Sequence, residues 1–145
     1  MPPIARRLRR LIADDGGLAA LEFVFLAPAL LMLAFAIVIY SIYFTALIGV
    51  REAAAEGARA AVAGLSSSER ASLANARARE VVDTYGTLLG GGSAPAISTS
   101  ALGSGGFSVT VAYDMSGSPM MRYGSFIPLP SPNVSATVTV NNGSY

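Results

Sequence analysis

One carboxylate stands apart from the others by its surroundings. Glu22 is the only charged residue between Gly16 and Val50, at the head of an apolar run where a charge costs on the order of 2.5 to 3.5 kcal/mol at the bilayer centre and less near the interface. A charge so placed needs a partner. A free α-amine, with an ordinary pKa of about 7.7 to 8.0, would attract it by roughly 4 kcal/mol at 4 Å and an effective dielectric of about 20, before desolvation. The remaining acids offer less. Glu52, Glu56, Glu69, Glu80 and Asp83 read as surface charges on helices, and no serine has an evident base. The chain has no lysine, histidine, cysteine or tryptophan, which excludes thiol and imidazole nucleophiles, zinc sites built from Cys or His, and disulfides. A membrane-tethered hydrolase is therefore a poor reading: no catalytic, cofactor-binding or metal-ligating residue is expected, and the protein is not expected to be an enzyme. A net charge of +1, with arginines interspersed among acids, also argues against nucleic acid as a partner.

The elements that position Glu22 follow from charge placement. With 52% hydrophobic and 13% charged residues and a mean hydropathy of +0.52, the sequence is too apolar for an ordinary soluble domain. Phe23 to Val50 is a run of 28 residues without a charge, roughly 42 Å of helix against a hydrocarbon core of roughly 30 Å. Residues 18–50 are accordingly expected to form one tilted or overlong transmembrane helix. Before it, residues 1–17 form a basic leader, with Arg6, Arg7, Arg9 and Arg10 against Asp14 and Asp15. The positive-inside bias keeps this leader cytoplasmic and sends the C-terminal region outward. Ala34-Phe35-Ala36 would suit signal-peptidase cleavage, but the apolar run continues unbroken past it, so a retained anchor is the better reading.

Beyond the span, residues 51–89 read as helical. Alanine-rich sequence from Arg51 to Gly64, with Glu56 and Arg59 at i, i+3, extends the first helix to about residue 63. Ser66-Ser67-Ser68-Glu69 is a capping box opening a second helix. Its apolar stripe is Ala74, Ala78, Val81, Val82, Tyr85 and Leu89, with Arg70, Arg77 and Glu80 elsewhere, and Gly90-Gly91-Gly92 ends it. The Gly57 to Ala61 spacing reads as plain alanine-rich helix ahead of a dimer seam. Residues 90–106 are expected to be a Gly/Ser linker. In residues 107–145, Phe107 to Tyr113 and Val134 to Val140 alternate with the period of half-buried strands. These should pair as a small antiparallel β-hairpin or sheet, covered by Val81, Tyr85 and Leu89, with one edge open to a partner. Asp114 and Arg122 read as solvated loop charges. Tyr113, Tyr123 and Phe126 are open to two readings, packing or an adhesive patch. The fold class expected is α+β and membrane-anchored: a long N-terminal helix extending beyond the membrane, a second short helix and a small C-terminal β unit.

The segment Gly16-Gly17-Leu18-Ala19-Ala20-Leu21-Glu22-Phe23, behind a basic leader and ahead of an apolar helix containing Pro28, resembles the processing region of type IV prepilins. More narrowly, it is similar to the TadE-like pseudopilins of the tight-adherence (Flp, type IVb) pilus system, over about residues 6–50. Phe23 in place of Tyr and a mature length of 128 of the 145 residues fit these accessory proteins better than the very short major pilins. The resemblance implies a minor pseudopilin whose leader a prepilin peptidase removes between Gly17 and Leu18. It further implies that Glu22 and Phe23 serve assembly and recognition, with Glu22 against the α-amine of a neighbouring subunit, and that Pro28 kinks the helix. The implied location is the bacterial inner membrane, single-pass, N-terminus cytoplasmic and C-terminus periplasmic, with entry into the pilus left open. The implied partners are the membrane, the prepilin peptidase, other pseudopilins, the major pilin and the assembly machinery. No cofactor is implied. The alternative is a single-span periplasmic scaffold or adhesin module that is never processed.

Overall fold

A computed structural model describes residues 15–86, 93–124 and 127–141. The leader arginines, Leu89, Gly90 to Gly92 and Phe126 lie outside the described residues. The architecture is α+β: helix α1 (Asp15–Ala61), helix α2 (Ser67–Tyr85), and strands β1 (Ala96–Ala101), β2 (Gly106–Asp114) and β3 (Asn133–Asn141) in one antiparallel sheet of order β1-β2-β3. The chain divides into two compact units, one ending at Val38 and the other beginning at Ile39.

In the first unit, α1 is exposed all round. Every residue from Leu18 to Val38 is exposed except the half-buried Ala27 and Ala36, and the exposed set is large and apolar, including Leu21, Phe25, Leu30, Leu33 and Phe35. These 21 residues make roughly 32 Å of helix at about 1.5 Å per residue. The helical assignment runs through Pro28, whose missing N–H leaves the Val24 carbonyl without its usual donor.

The second unit begins where α1 acquires a buried side. Ile39, Ala46, Gly49, Val50, Ala53, Ala54, Gly57, Ala58 and Ala61 are buried, at helical spacing and with mostly small side chains, while Phe44 and Ile48 stay exposed. The uncharged run thus divides at Val38, and residues 39–50 of the expected span have protein against one side.

Small residues let α2 approach closely. A Cβ at Gly57 would lie 3.0 Å from the Ala74 carbonyl oxygen and 3.2 Å from the Ala78 Cβ, and one at Gly49 would lie 3.0 Å from the Tyr85 ring. Gly49 facing Tyr85 while Gly57 faces Ala74 and Ala78 makes the two helices antiparallel. The Gly57–Ala61 pair therefore serves packing within the chain. The connection is closed by the expected capping box, with a shift in one partner. The Ser66 hydroxyl accepts from the Glu69 N–H at 3.2 Å, while the Glu69 carboxylate reaches back to the N–H of Leu65, at 2.9 Å, one residue before the N-cap.

The sheet presents Phe107, Val109, Val111 and Tyr113 of β2, all buried, to the helices. Ala58, Ala61 and Ala74 meet Phe107 and Val109, with Ala71, Ile97, Val138 and Val140 packed around them. Of the expected cover by Val81, Tyr85 and Leu89, the last lies outside the described residues. Val81 is buried and Tyr85 packs on Gly49, but the contact with Phe107 and Val109 is made by alanines of both helices, whose small side chains let the layers come close. The opposite face of the sheet carries Ser98, Ser100, Ser108, Thr110, Ser135, Thr137 and Thr139, with the Thr110 and Thr137 hydroxyls 2.8 Å apart.

Part of the expected linker is ordered as β1. Ala96–Ala101 pairs in register with β2, from Ala96 opposite Ala112 to Ala101 opposite Phe107, so the hairpin is completed to three strands. Ladder hydrogen bonds to β2 explain this despite a composition that suggests a loop. A 3-10 turn at Gly103–Gly105 joins the two strands, with Gly105 at φ 78°, where glycine alone is unstrained.

Candidate functional site

The residues singled out for processing and assembly all fall on α1. Gly17 has nothing within 4 Å of where a Cβ would sit. Leu18 is 62% and Phe23 69% exposed, so neither is used in packing. Leu18 and Glu22 are one turn apart, at i and i+4, and share a side of the helix. Glu22 is exposed in this belt of apolar side chains, and among the described residues no hydrogen-bond donor or cation pairs with it. Pro28 lies a turn and a half further on. The structure therefore brings Gly17, Leu18 and Glu22 within little more than a turn of each other, on a helix long and apolar enough to cross a membrane. That is consistent with a single-pass membrane protein. What this arrangement can do chemically is limited and specific: one carboxylate in an apolar belt can hold one cation supplied from outside the described chain.

The other acids behave differently. Between α1 and α2, a shallow cleft of about 360 Å³ is lined by Glu52, Arg77, Glu80, Val81, Thr84 and Tyr85, bringing two carboxylates to one surface depression. Both are engaged. The Tyr85 hydroxyl donates to Glu52, and Arg77 donates to Glu80 at 2.8 Å while standing 3.5 Å from Glu56, which also holds Arg59. The hydrogen bond to the Glu52 carboxylate, desolvation and the charge of Glu52 push the Tyr85 phenol up from its ordinary value. The hydrogen bond and charge of Glu80 raise Arg77 further, so it stays a cation. The arrangement is a polar seam between helices, in which each carboxylate already has its donor. Asp114, at the end of β2, accepts from the Ser116 N–H at 2.8 Å. That bond, then a side-chain bond to Ser116, holds its carboxyl below the ordinary range, as in an Asx turn that closes the sheet's end.

Arg70 corrects an expectation. Placed by the sequence pattern away from the apolar stripe, it is only 9% exposed. Its Nε donates to the Ala61 carbonyl at 3.1 Å and its Nη1 to the Gly105 carbonyl at 3.2 Å. The guanidinium lies 5.3 Å from the centroid of the Phe107 ring. Ala61 is the last residue of α1, and its carbonyl also accepts the Gly64 N–H at 3.2 Å, so Arg70 adds a second donor at the helix end and ties it to the turn before β2. Gly64 makes the room: a Cβ there would fall 2.7 Å from Arg70 atoms. The signal was in the spacing, since Arg70, Ala74, Ala78 and Val81 fall on one helical stripe.

Compared with known proteins, residues 17–59 match the family model described as TadE-like protein. This match begins at Gly17 and ends two residues short of the end of α1. No curated protein and no solved structure matches the chain.

Proposed function

We propose that this chain, TadE-like over residues 17–59, is a minor pseudopilin of a tight-adherence (type IVb) pilus system, without catalytic activity of its own. In this reading a prepilin peptidase cuts between Gly17 and Leu18. The processed helix then waits in the inner membrane with its C-terminal unit in the periplasm, and takes part in pilus initiation, assembly or adhesion with other pseudopilins and the major pilin. The observation that carries the reading is Glu22: a carboxylate exposed among apolar side chains, one turn from Leu18, with no partner among the described residues. The α-amine freed by cleavage of a neighbouring subunit, displaced along the helix axis, is a cation of the right kind. Lipid covering residues 18–38 accounts for their exposure, and the roughly 32 Å of helix they form matches a hydrocarbon core of roughly 30 Å.

A second reading, the unprocessed single-span scaffold or adhesin module, is favoured by one observation: the Gly17–Leu18 bond lies inside α1, whereas a protease needs an accessible, opened backbone. Gly16 and Gly17 lower that barrier, each weakening a helix by about 1 kcal/mol relative to alanine. The mass of the cellular protein decides between the two. Loss of residues 1–17 supports the pseudopilin; an intact N-terminus in cells with an active prepilin peptidase overturns it. Glu22→Ala then tests the role of the carboxylate: membrane insertion and cleavage persist, and pilus assembly is lost.

A further inference from the structure

The sheet leaves its two edges in different conditions. β1 lies against α2 and pairs with β2, whereas β3 packs Val138 and Val140 on the helix alanines with one face and, among the described residues, pairs with a strand on one side alone, that of β2. Ladder parity shows which groups of β3 face away from β2. The Met115 N–H donates to the Pro132 carbonyl at 2.9 Å, one step beyond the registered pair Asp114–Asn133. Antiparallel pairs alternate between hydrogen-bonded and non-bonded, so Val134, Ala136, Val138 and Val140 bond to β2. Asn133, Ser135, Thr137, Thr139 and Asn141, all exposed, point their N–H and C=O groups away from β2, the Asn133 N–H donating to the Ser131 hydroxyl at 3.4 Å. This edge carries no charge, proline or bulge from Asn133 to Asn141, the devices that ordinarily block strand addition. Val138 and Val140 remain half-buried beside it.

The order of residues along the edge selects the occupant. Asn-Val-Ser-Ala-Thr-Val-Thr-Val-Asn reads nearly alike from either end about Thr137. In an antiparallel pair of two β3 strands centred there, Thr137 faces Thr137 and Ser135 faces Thr139 as hydrogen-bonded pairs, with Asn133 opposite Asn141 at the ends. On the other face, Val134 meets Val140 and Ala136 meets Val138 at the closer, non-bonded positions. An isologous two-fold contact requires a surface complementary to itself, whereas a foreign strand imposes no symmetry on this one. We propose that β3 pairs with β3 of a second copy of this chain, joining two three-stranded sheets into one of six strands. The proposal holds independently of how the N-terminus is processed.

The native chain has no cysteine, so single-cysteine variants of the full chain in membranes, treated with a mild oxidant, give a direct test. At Thr137 the two copies' Cα atoms would lie about 5.5 Å apart, inside the range of roughly 4.4 to 6.8 Å that a disulfide spans. Thr110, on the same face but opposite Thr137 on β2, would be separated from its mate by about three strand spacings, roughly 15 Å. The expected result is conversion of most Thr137→Cys monomer to a dimer of twice the chain mass, with no dimer from Thr110→Cys. Ser135→Cys and Thr139→Cys should link to each other when co-expressed and poorly to themselves. Thr137→Pro, which removes an outward N–H, should keep the protease resistance of the sheet and abolish dimer formation by Ser135→Cys with Thr139→Cys. The proposal is overturned if none of these cysteines forms a dimer in protease-resistant protein, if Thr110→Cys links as well as Thr137→Cys, or if Thr137→Cys links only to a chain of different mass.

Discussion

Residues 18–38 and 39–61 are consecutive stretches of one helix, and the uncharged run that crosses between them hides how differently they are built. The first exposes leucine, phenylalanine, valine and isoleucine on all sides; the second buries a stripe made mainly of alanine and glycine. A helix that is apolar all round must find an apolar solvent. One with a stripe of small residues can instead bring another backbone close, and here it brings both α2 and the sheet. Apolarity over a window is therefore a poor measure of where a span ends. The size of the residues that recur at helical spacing is a better one.

The sharpest way to break this comparison is to place the same charge in each stretch. Ala58→Asp, in the buried stripe, should destabilise the second unit by about 3 to 5 kcal/mol, as an unpaired buried charge does, and leave membrane insertion intact. Ala29→Asp should weaken insertion by roughly 2.5 to 3.5 kcal/mol and leave the second unit as resistant to protease as before. Loss of protease resistance with Ala29→Asp, or its retention with Ala58→Asp, would mean that the division at Val38 is misplaced.

A smaller effect is expected at Arg70. Arg70→Met removes the guanidinium bonds to the Ala61 and Gly105 carbonyls, leaving Ala61 with the Gly64 N–H alone, and should cost about 1 to 3 kcal/mol, seen as a lower urea midpoint for loss of the C-terminal unit's protease resistance. Two glycines sharpen the contrast further. Gly57→Val must displace Ala74, Ala78 or Val109 and should cost about 1 to 3 kcal/mol. Gly17→Val meets nothing, so the fold should be untouched while any cleavage after residue 17 is blocked. The smallest change is at Tyr85. Its folded-state pKa is raised, so its contribution is fully present below the unfolded value of about 10 and is lost as pH rises through the folded one. Tyr85→Phe should flatten that alkaline dependence, measured as protease resistance against pH, with little change at neutrality.

What the sequence revealed tracks how local each signal is. The capping box at Ser66 to Glu69, the α1 helix and the alternating strands β2 and β3 are set by neighbours within a few residues, and all were legible. β1 was not, because Ile97 is its one large apolar residue and its order comes from pairing with β2 ten residues away. Arg70 was misplaced because charge type was weighed above helical spacing, although its position on the Ala74–Ala78–Val81 stripe pointed inward. Glu22 was legible for the opposite reason: a lone charge in an apolar run is conspicuous without any tertiary knowledge. The near-symmetry of β3 is equally visible in the letters, but it gains meaning only once β3 is known to be an edge.

The antiparallel seam between α1 and α2 has a mechanical consequence. A pull along the axis of α1 loads the Gly49–Tyr85 and Gly57–Ala74 contacts side by side, in shear, so they must yield together and not one at a time as in peeling. Arg70, gripping the last carbonyl of α1 and stacked on Phe107, carries the same load into the sheet. Resistance to force is set by the rate of unfolding and not by equilibrium stability. A seam of small, closely fitted residues can thus hold tension well even where each contact contributes little.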